Sequence, residues 1–453
     1  MMEEDGESGN EALKLARSYY KGCMASVNDP QSKGGPILFI LEKIRQFGSF
    51  PLIDKSWSYG DDFDLTDLLA YFNKNGTVTN VLVPHIGTDL SNSSRARIFF
   101  WGYDESVHTV KLQRIFYLHR KSVNVLVNLA LLLCEETKHN CNESEVWSNV
   151  EEVLSFVERM NSLKFILDIY GFEGTNLTIG QFYNLNYLKR LSEVDALTTT
   201  VNWKKYFLHV VPSTQHTFIL NDPFVIVNKT AIPLIDNILK TTPKKVIVNY
   251  AMLSYIITYV ELLGDKYQKL FQDFVEIPSK REYCSNTTYS SFRDALTAEY
   301  ARKTNGSEGK KIIKKLKEMA AEEFIDTIRE NSWLNESQKN MLISKINLVD
   351  VYAAYGDDHL EEAKLDSIFS DCIQIEGFKE LPFMMMEDII RCINQKEYFS
   401  RLNDSVDLKK PKYPYDQHDG PFYLQHSNSI GISLVLIDQL MSMFTGSVII
   451  SYC

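Results

Sequence analysis

The stretch Glu11-Ala-Leu-Lys-Leu-Ala-Arg-Ser-Tyr-Tyr-Lys-Gly-Cys-Met24 shows the pattern that dominates the chain. Its apolar side chains recur every three or four residues, as at Ala12, Ala16, Tyr19 and Cys23. That spacing places them on one face of an α-helix and leaves the basic residues on the other face. The stretch is therefore predicted to form an amphipathic helix.

Working outward from this helix, the same periodicity recurs along most of the chain. It predicts further helices at 37–47, 64–74, 119–137, 145–170, 179–192, 231–240, 246–273, 289–303, 309–330, 336–347 and 383–402. Runs of β-branched and aromatic residues predict a few short strands, at Thr79 to His85, Arg97 to Trp101, Tyr206 to Val211, Phe224 to Val227 and Ile430 to Ile437. The predicted fold class is mainly α.

Composition and charge limit the partners that the chain can have. With 453 residues, 44% of them hydrophobic, it can bury the cores of two or three domains. The net charge of -11 argues against nucleic acid or an anionic membrane as a partner. The lysines within Lys310 to Lys317 are interpreted as the solvated face of an amphipathic helix.

A change of composition near Asp404 suggests a domain boundary. The helical pattern stops at Lys409-Lys-Pro-Lys-Tyr-Pro-Tyr415, and an apolar tail follows. We therefore divide the chain into a helical domain, 11–403, and a second segment, 404–453. The tail approaches the length of a membrane span, but Asp438, Gln439 and Gly446 interrupt it, so no transmembrane segment is predicted.

The amino terminus as written has no basic start and no apolar stretch, so no signal peptide is predicted. Nine Asn-x-Ser/Thr sequons nevertheless point to secretion. Glycosylation is expected at Asn75, Asn92, Asn142, Asn176, Asn228, Asn286, Asn305 and Asn403. The ninth, Asn335, is instead predicted to cap the following helix, with Gln338 completing a capping box.

The chain has seven cysteines, whose scattered spacing specifies neither a zinc site nor a disulfide connectivity. Cys134 and Cys141 could close a short bridge if the compartment is oxidising. Buried thiols are the alternative interpretation. The pairing of Cys372, Cys392 and Cys453 is left open.

Known catalytic patterns are absent from the sequence. No two histidines lie four residues apart, so there is no His-Glu-x-x-His zinc motif, and residue 363, four after His359, is Ala363. Gly-x-Ser-x-Gly is also missing, and the loop Gly306 to Lys310 is too short for a P-loop. Acid pairs such as Asp61-Asp62 are typical of turns and helix starts. We therefore predict no catalytic residue and no metal ligand in this chain.

Several motifs together resemble the neprilysin and endothelin-converting-enzyme family of zinc metallopeptidases. They include Tyr20-Lys-Gly-Cys23 followed by Gly34-Gly35, Val201-Asn-Trp-Lys-Lys-Tyr-Phe207, Arg281-Glu-Tyr-Cys284 and Trp333-Leu-Asn-Glu-Ser-Gln-Lys339. The resemblance implies a multi-helical lid domain, a Cys23–Cys284 disulfide and an extracellular or plasma-membrane ectodomain. It also implies zinc in complete members, whose zinc-binding helix would lie beyond residue 453.

The family binds peptide substrates along an edge strand beginning Asn-Ala-(Phe/Tyr)-Tyr, and the resemblance places that strand at Phe422 and Tyr423. Gly420 and Pro421 then stand where Asn and Ala are expected. Gly420 lacks the side-chain amide, and Pro421 lacks an N–H and has a fixed φ, so substrate alignment should be impaired. The strand would be the first edge strand of an incomplete α+β peptidase domain.

Three functions are consistent with this sequence. The leading hypothesis is an inactive family member that binds peptides or a partner protein, which could be another family member. The second is a fragment of a zinc endopeptidase that cleaves extracellular peptides. The third is a helical intracellular interaction protein, which predicts reduced thiols and unmodified sequons.

Overall fold

The chain is predominantly helical. The structure, a computed structural model, describes residues 10–26, 35–47, 50–54, 63–74, 84–89, 92–100, 115–116, 119–170, 186–228, 231–304, 306–353, 355–403, 421–424, 428–432 and 436. Its helices in this part of the chain are α1 (Glu11–Ser26), α2 (Pro36–Gln46), α3 (Leu65–Lys74), α4 (His119–Thr137), α5 (Glu143–Tyr170), α6 (Leu191–Asp195), α7 (Trp203–Val210), α8 (His216–Leu220), α9 (Ala231–Thr241), α10 (Lys244–Thr258), α11 (Asp265–Phe271), α12 (Lys280–Ser291), α13 (Arg293–Lys303), α14 (Gly306–Glu330), α15 (Glu336–Asn347), α16 (Glu362–Ile368), α17 (Ser370–Ile373) and α18 (Phe383–Ser400). The mainly α prediction is confirmed.

The strands are short, as predicted. They are β1 (His85–Asp89), β2 (Asn92–Phe100), β3 (Asn186–Arg190), β4 (Phe224–Asn228), β5 (Asp350–Ala353), β6 (Phe422–Leu424) and β7 (Ser429–Ile432). Of the predicted strand Thr79 to His85, only His85 belongs to β1, and residues 79–83 lie outside the described ranges.

Two predicted elements are wrong. The run Tyr206 to Val211 is not a strand, because Asn202 caps a helix there by accepting a hydrogen bond from the Lys205 N–H. The second error is the helix predicted at 179–192, where Asn186–Arg190 instead forms β3 by pairing antiparallel with β4. In addition, the helix predicted at 246–273 is two helices: α10 ends at Thr258, and α11 begins after Gly264, whose φ of 88° favours glycine.

The chain separates into two compact units. Unit 1 contains Met1–Tyr20, Ser285–Lys379 and Val406–Cys453, and unit 2 contains Lys21–Cys284 and Glu380–Ser405. In this grouping residues 285–379 belong with 406–453. One reason is that β5 and β7 pair in the same sheet. The predicted division into 11–403 and 404–453 stays a prediction.

Unit 2 is built around a four-stranded sheet of order β1-β2-β4-β3. β2 and β4 are parallel, and the two outer pairs are antiparallel. Val225, Ile226 and Val227 of β4 are fully buried. The rings of Phe100 and Trp203 meet edge to face with centroids 4.7 Å apart, which ties β2 to α7.

Unit 1 contains a three-stranded sheet of order β5-β7-β6. β7 pairs in parallel with β5 and antiparallel with β6. The sheet shares a hydrophobic core with α13 and α14, formed by Ala301, Ile313, Ala353 and Tyr355. Gly306 allows this close packing, because a Cβ there would lie 3.2 Å from both Ala301 Cβ and Tyr355 Cε1.

The resemblance also implied the Cys23–Cys284 bridge, and the structure contains it within unit 2. The short bridge Cys134–Cys141 is present as well. No helix in the described part of the chain is long and apolar enough to cross a membrane.

Candidate functional site

The candidate site is the β6 edge of the unit 1 sheet. β6 pairs only with β7 among the described strands, in the register Phe422↔Gly431, Tyr423↔Ile430 and Leu424↔Ser429. Its other side therefore forms one edge of the described sheet. An exposed sheet edge can accept an extended peptide as an added strand.

A glycine fixes how β6 lies on the sheet. A Cβ at Gly431 would lie 2.2 Å from Phe422 Cζ, closer than real atoms approach, so the Phe422 ring occupies the space that a side chain would need. Phe422 is half-buried, and Gly431 is buried. Gly431 is thus required for β6 to pack flat against β7.

Asn428 connects the two strands to the rest of unit 1. It adopts a positive φ of 49°, which asparagine tolerates better than most residues. Its Oδ1 accepts a hydrogen bond from the Tyr423 hydroxyl at 2.7 Å, and its Nδ2 donates to the Lys345 carbonyl at 3.0 Å. Its own carbonyl accepts from the Asp350 N–H at 3.1 Å. Asn428 is not among the site residues predicted from the sequence, although an Asn between two short strands is itself a turn signal.

The predicted substrate-strand positions are only partly described. Gly420 lies outside the described residues. Pro421 is exposed directly before β6, and the Tyr423 side chain is 45% exposed. Pro421 has no N–H to donate to an added strand. The three residues of β6 that follow it each have both a backbone N–H and a carbonyl.

The buried ion pair of Arg391 and Glu387 has a structural explanation. In unit 2, Arg391 Nε donates to Glu387 Oε1 at 2.6 Å, and its guanidinium lies 4.9 Å from the centroid of the Tyr259 ring. The two opposite charges of this pair therefore balance each other.

The two thiols of the described residues are not reactive. Burial raises the pKa of Cys372 to about 11, and burial together with Asp388 raises the pKa of Cys392. Neither sulfur is therefore an activated nucleophile at neutral pH.

The zinc that the resemblance implies does not fit the residues that the structure describes. A zinc site requires three or four His, Cys, Asp or Glu donors around one point. No such group of three occurs within the described ranges, and no two histidines of the sequence lie three or four residues apart. We therefore derive no catalytic step through zinc for this chain.

The sequons differ in their surroundings. Asn335 caps α15 as predicted, because its Oδ1 accepts from the Gln338 N–H at 3.0 Å and its own N–H donates to Gln338 Oε1 at 3.0 Å. Asn92, Asn142 and Asn286 are exposed, and Asn228 is half-buried. The described residues do not include Asn75, Asn176, Asn305 or the side chain of Asn403.

Sequence comparison identifies the family. The model of the N-terminal region of peptidase family M13 matches residues 1–356, which is most of the chain. The chain belongs to peptidase family M13. It is 21% identical to Neprilysin-11 of Caenorhabditis elegans over 459 residues, which cover 95% of this chain and 50% of that protein. It is also 18% identical to Endothelin-converting enzyme 1 of Homo sapiens over 415 residues, covering 87% of this chain and 49% of that protein.

Solved structures share this fold. The zinc metalloprotease ZMP1 of Mycobacterium tuberculosis in its open state matches with a TM-score of 0.62 at 11% identity, covering 95% of this chain and 62% of that one. A galactose-containing glycoprotein complex of Haemonchus matches with a TM-score of 0.58 at 13% identity, covering 93% of this chain and 60% of that one. The chain spans about half the length of the curated relatives it matches.

Proposed function

We propose that this chain is an M13 family member that binds extended peptides along β6 and does not hydrolyse them by itself. The observation that carries the proposal is the edge position of β6, described above. Added strands gain affinity from main-chain hydrogen bonds, so an edge strand can bind peptides without any metal.

The neighbouring residues predict that such binding is weak. Pro421 precedes β6 and offers a carbonyl but no N–H, so a peptide loses one main-chain hydrogen bond there. Gly420 replaces the side-chain amide that family members use to hold substrate. Each lost hydrogen bond is worth about 0.5–1.5 kcal/mol, or roughly a factor of 2 to 12 in affinity.

A gain-of-function experiment tests this proposal. Labelled extended peptides are titrated with the whole chain and with the double variant Gly420→Asn, Pro421→Ala, and binding is followed by fluorescence anisotropy. We expect the double variant to bind roughly 10-fold more tightly, because it regains one amide and one N–H. The control is Leu220→Ala, a change to a 53% exposed residue of α8, which should leave the affinity unchanged. Equal affinity of all three proteins, or no binding by any of them, would reject β6 as the peptide site.

The second candidate function is that these residues are part of a zinc endopeptidase that cleaves extracellular peptides. It is supported by the length of the relatives, of which the chain spans about half, and by their names, which include endothelin-converting enzyme and zinc metalloprotease. Sequencing the transcript past Cys453 tests it. An in-frame His-Glu-x-x-His would favour this function over the first, and a stop codon at that point would favour the first.

We also propose that the protein is located outside the cytosol. The two disulfides favour an oxidising compartment, and this weighs against the intracellular interaction protein considered from sequence. The fold likeness to a Haemonchus glycoprotein complex supports a protein partner, which could be another family member. Non-reducing peptide mapping of secreted protein should recover Cys23 linked to Cys284, and recovery of both as thiols would contradict this location.

A further inference from the structure

The charges of α14 are sorted into two blocks. Five lysines and no acidic residue lie within Lys310 to Lys317, whereas five acidic residues and one arginine lie within Glu318 to Glu330. Like charges such as Lys311 and Lys315 therefore stand four residues apart, a spacing that destabilises a helix. The lysine block and the acidic block thus raise the free energy of α14 on its own, and neighbours of opposite charge would lower it.

The charges near the middle of α14 are not balanced within the described part of the chain. Lys315 and Glu323 form no ion pair with any residue of that part. Two ion pairs lie closer to the ends of the helix and join Lys311 to Glu308 at 3.1 Å and Arg329 to Asp326 at 2.9 Å. Charge is therefore available for a partner at the centre of the helix.

Met319 lies between these two central charges on the outward face of α14. Ile328 is buried, and Met319, about two and a half turns earlier, is on the opposite side and 56% exposed. Lys315 and Glu323 stand four residues before and four residues after Met319, so the three follow one ridge of the helix. We name this surface the Met319 face; its residues, all exposed, are Lys311, Lys315, Met319, Glu322, Glu323 and Asp326.

The Met319 face is complementary to a second copy of itself. When two copies of α14 pack antiparallel around a two-fold axis at Met319, the lysine block of each protomer faces the acidic block of its partner. Lys315 then meets Glu323 twice by symmetry. The two Met319 side chains meet at the axis, where their flexible thioethers bury apolar surface. We propose that this chain forms an antiparallel homodimer through the Met319 face.

A second copy fits this face better than other charged partners do. Nucleic acid or an anionic membrane would attract the lysine block but repel the acidic block beside it. A copy of the chain satisfies both blocks at once. The net charge of -11 on each protomer opposes association, so we expect a weak dimer. The proposal is independent of peptide binding along β6.

The first experiment exchanges charges between the two blocks. The dissociation constant of the whole chain, secreted from eukaryotic cells, is measured by sedimentation equilibrium. Lys315→Glu and Glu323→Lys each bring like charges together twice, so each variant alone should dimerise roughly 10-fold more weakly. An equal mixture of the two variants restores both pairs and should form a heterodimer about as tight as the wild-type homodimer. The double variant Lys315→Glu, Glu323→Lys should recover the homodimer for the same reason.

Lys314→Glu is the matched control. It makes the same charge change at an exposed residue about 100° around α14 from Lys315, and it should weaken the dimer by less than about threefold. A monomer at every concentration, or no association of the mixed variants, would overturn the proposal. So would binding to phosphatidylserine vesicles that Lys315→Glu abolishes in the absence of a dimer, since the lysine block would then serve a membrane. None of these substitutions alters β6, so each result is independent of the peptide-binding test.

The second experiment locates the two-fold axis. Packed helices have axes about 8–10 Å apart, so Cα atoms that face each other across the axis come within reach of a disulfide. Met319→Cys should therefore yield a disulfide-linked dimer on mild oxidation, seen on a non-reducing gel, and adding Lys315→Glu should reduce its yield severalfold. Lys311→Cys lies on the same face, but its two copies would be about 24 Å apart along antiparallel helices, so it should not cross-link. No cross-linking of Met319→Cys, or equal cross-linking of the two variants, would overturn the proposal.

Discussion

Helices α10 and α15 belong to the same chain but are stabilised in opposite ways. In α10, every residue from Val246 to Thr258 is buried. In α15, no residue is buried, although Met341, Leu342, Ile343 and Ile346 are apolar. A helix that is apolar on all sides is typical of a protein interior, whereas an exposed helix depends on its own local interactions.

The contrast shows which interactions hold each region together. α10 has no side-chain cap at Pro243, so its stability comes from packing within unit 2. α15 begins with the reciprocal Asn335–Gln338 capping box, and Lys339 Nζ donates to the Arg329 carbonyl at the end of α14 at 2.7 Å. Capping and backbone contacts therefore substitute for burial in α15.

The largest expected effect is in α10. Leu253 is completely buried, so Leu253→Ala should leave a cavity and lower the free energy of unfolding by about 2–5 kcal/mol. Chemical denaturation followed by circular dichroism would measure the change. A loss below about 1 kcal/mol would mean that α10 is not held by packing.

A pH effect of slightly smaller size should also belong to unit 2. Burial lowers the pKa of His85 from 6.5 to about 4. The unfolded chain therefore takes up a proton near pH 6.5 that the folded chain refuses until about pH 4. Stability from this group is complete above pH 6.5 and falls by about 3 kcal/mol by pH 4.

The control for this pH effect is His85→Phe. The ring of His85 stacks on Phe99 with centroids 5.4 Å apart, and a phenylalanine at position 85 can keep this contact. The variant should lose less stability between pH 6.5 and pH 4 than the wild type, and the difference isolates His85 from the carboxylates. Identical pH profiles of unfolding in the two proteins would contradict the burial of a neutral imidazole.

A smaller effect is expected at the cap of α15. Asn335→Ala removes the acceptor for the Gln338 N–H and should destabilise the helix by about 1 kcal/mol, while Asn335→Asp should retain most of the cap. Native hydrogen exchange at α15 is the appropriate measurement, because a local helix can open without global unfolding. Faster exchange in both variants to the same degree would show that the cap is not the stabilising element.

The smallest effect is expected on the exposed face of α15. Met341 is 66% exposed, so Met341→Ala should change the free energy of unfolding by less than about 0.5 kcal/mol. Chemical denaturation in parallel with Leu253→Ala gives the direct comparison. A loss as large as that of Leu253→Ala would remove the distinction between the two helices.

Most of the fold could be predicted from apolar periodicity, and the errors have physical reasons. The run from Tyr206 to Val211 is rich in β-branched and aromatic residues, which favour strands. However, Trp203, Tyr206, Phe207 and Val210 are spaced three, four and seven residues from the first, and all are buried on one face of α7. The cap at Asn202 and this spacing were the decisive signals, and they outweighed β propensity.

The candidate site was only partly predictable. The edge strand at Phe422 and Tyr423 and the Cys23–Cys284 disulfide followed from the family resemblance. The Cys134–Cys141 bridge was one of two alternatives that the residue pattern left open. The hydrogen bond from Asn428 Nδ2 to the Lys345 carbonyl did not follow from the sequence, because it joins residues 83 positions apart and a local pattern carries no such information. The pairing of β5 with β7 is non-local in the same way.

The most direct test of the account is zinc content measured together with hydrolysis of a fluorogenic neprilysin-type peptide, on the whole chain secreted from eukaryotic cells. We expect less than stoichiometric zinc and no cleavage that a chelator abolishes, because the residues that the structure describes hold no group of three zinc donors and no two histidines of the sequence lie four residues apart. Stoichiometric zinc with chelator-sensitive cleavage would contradict it.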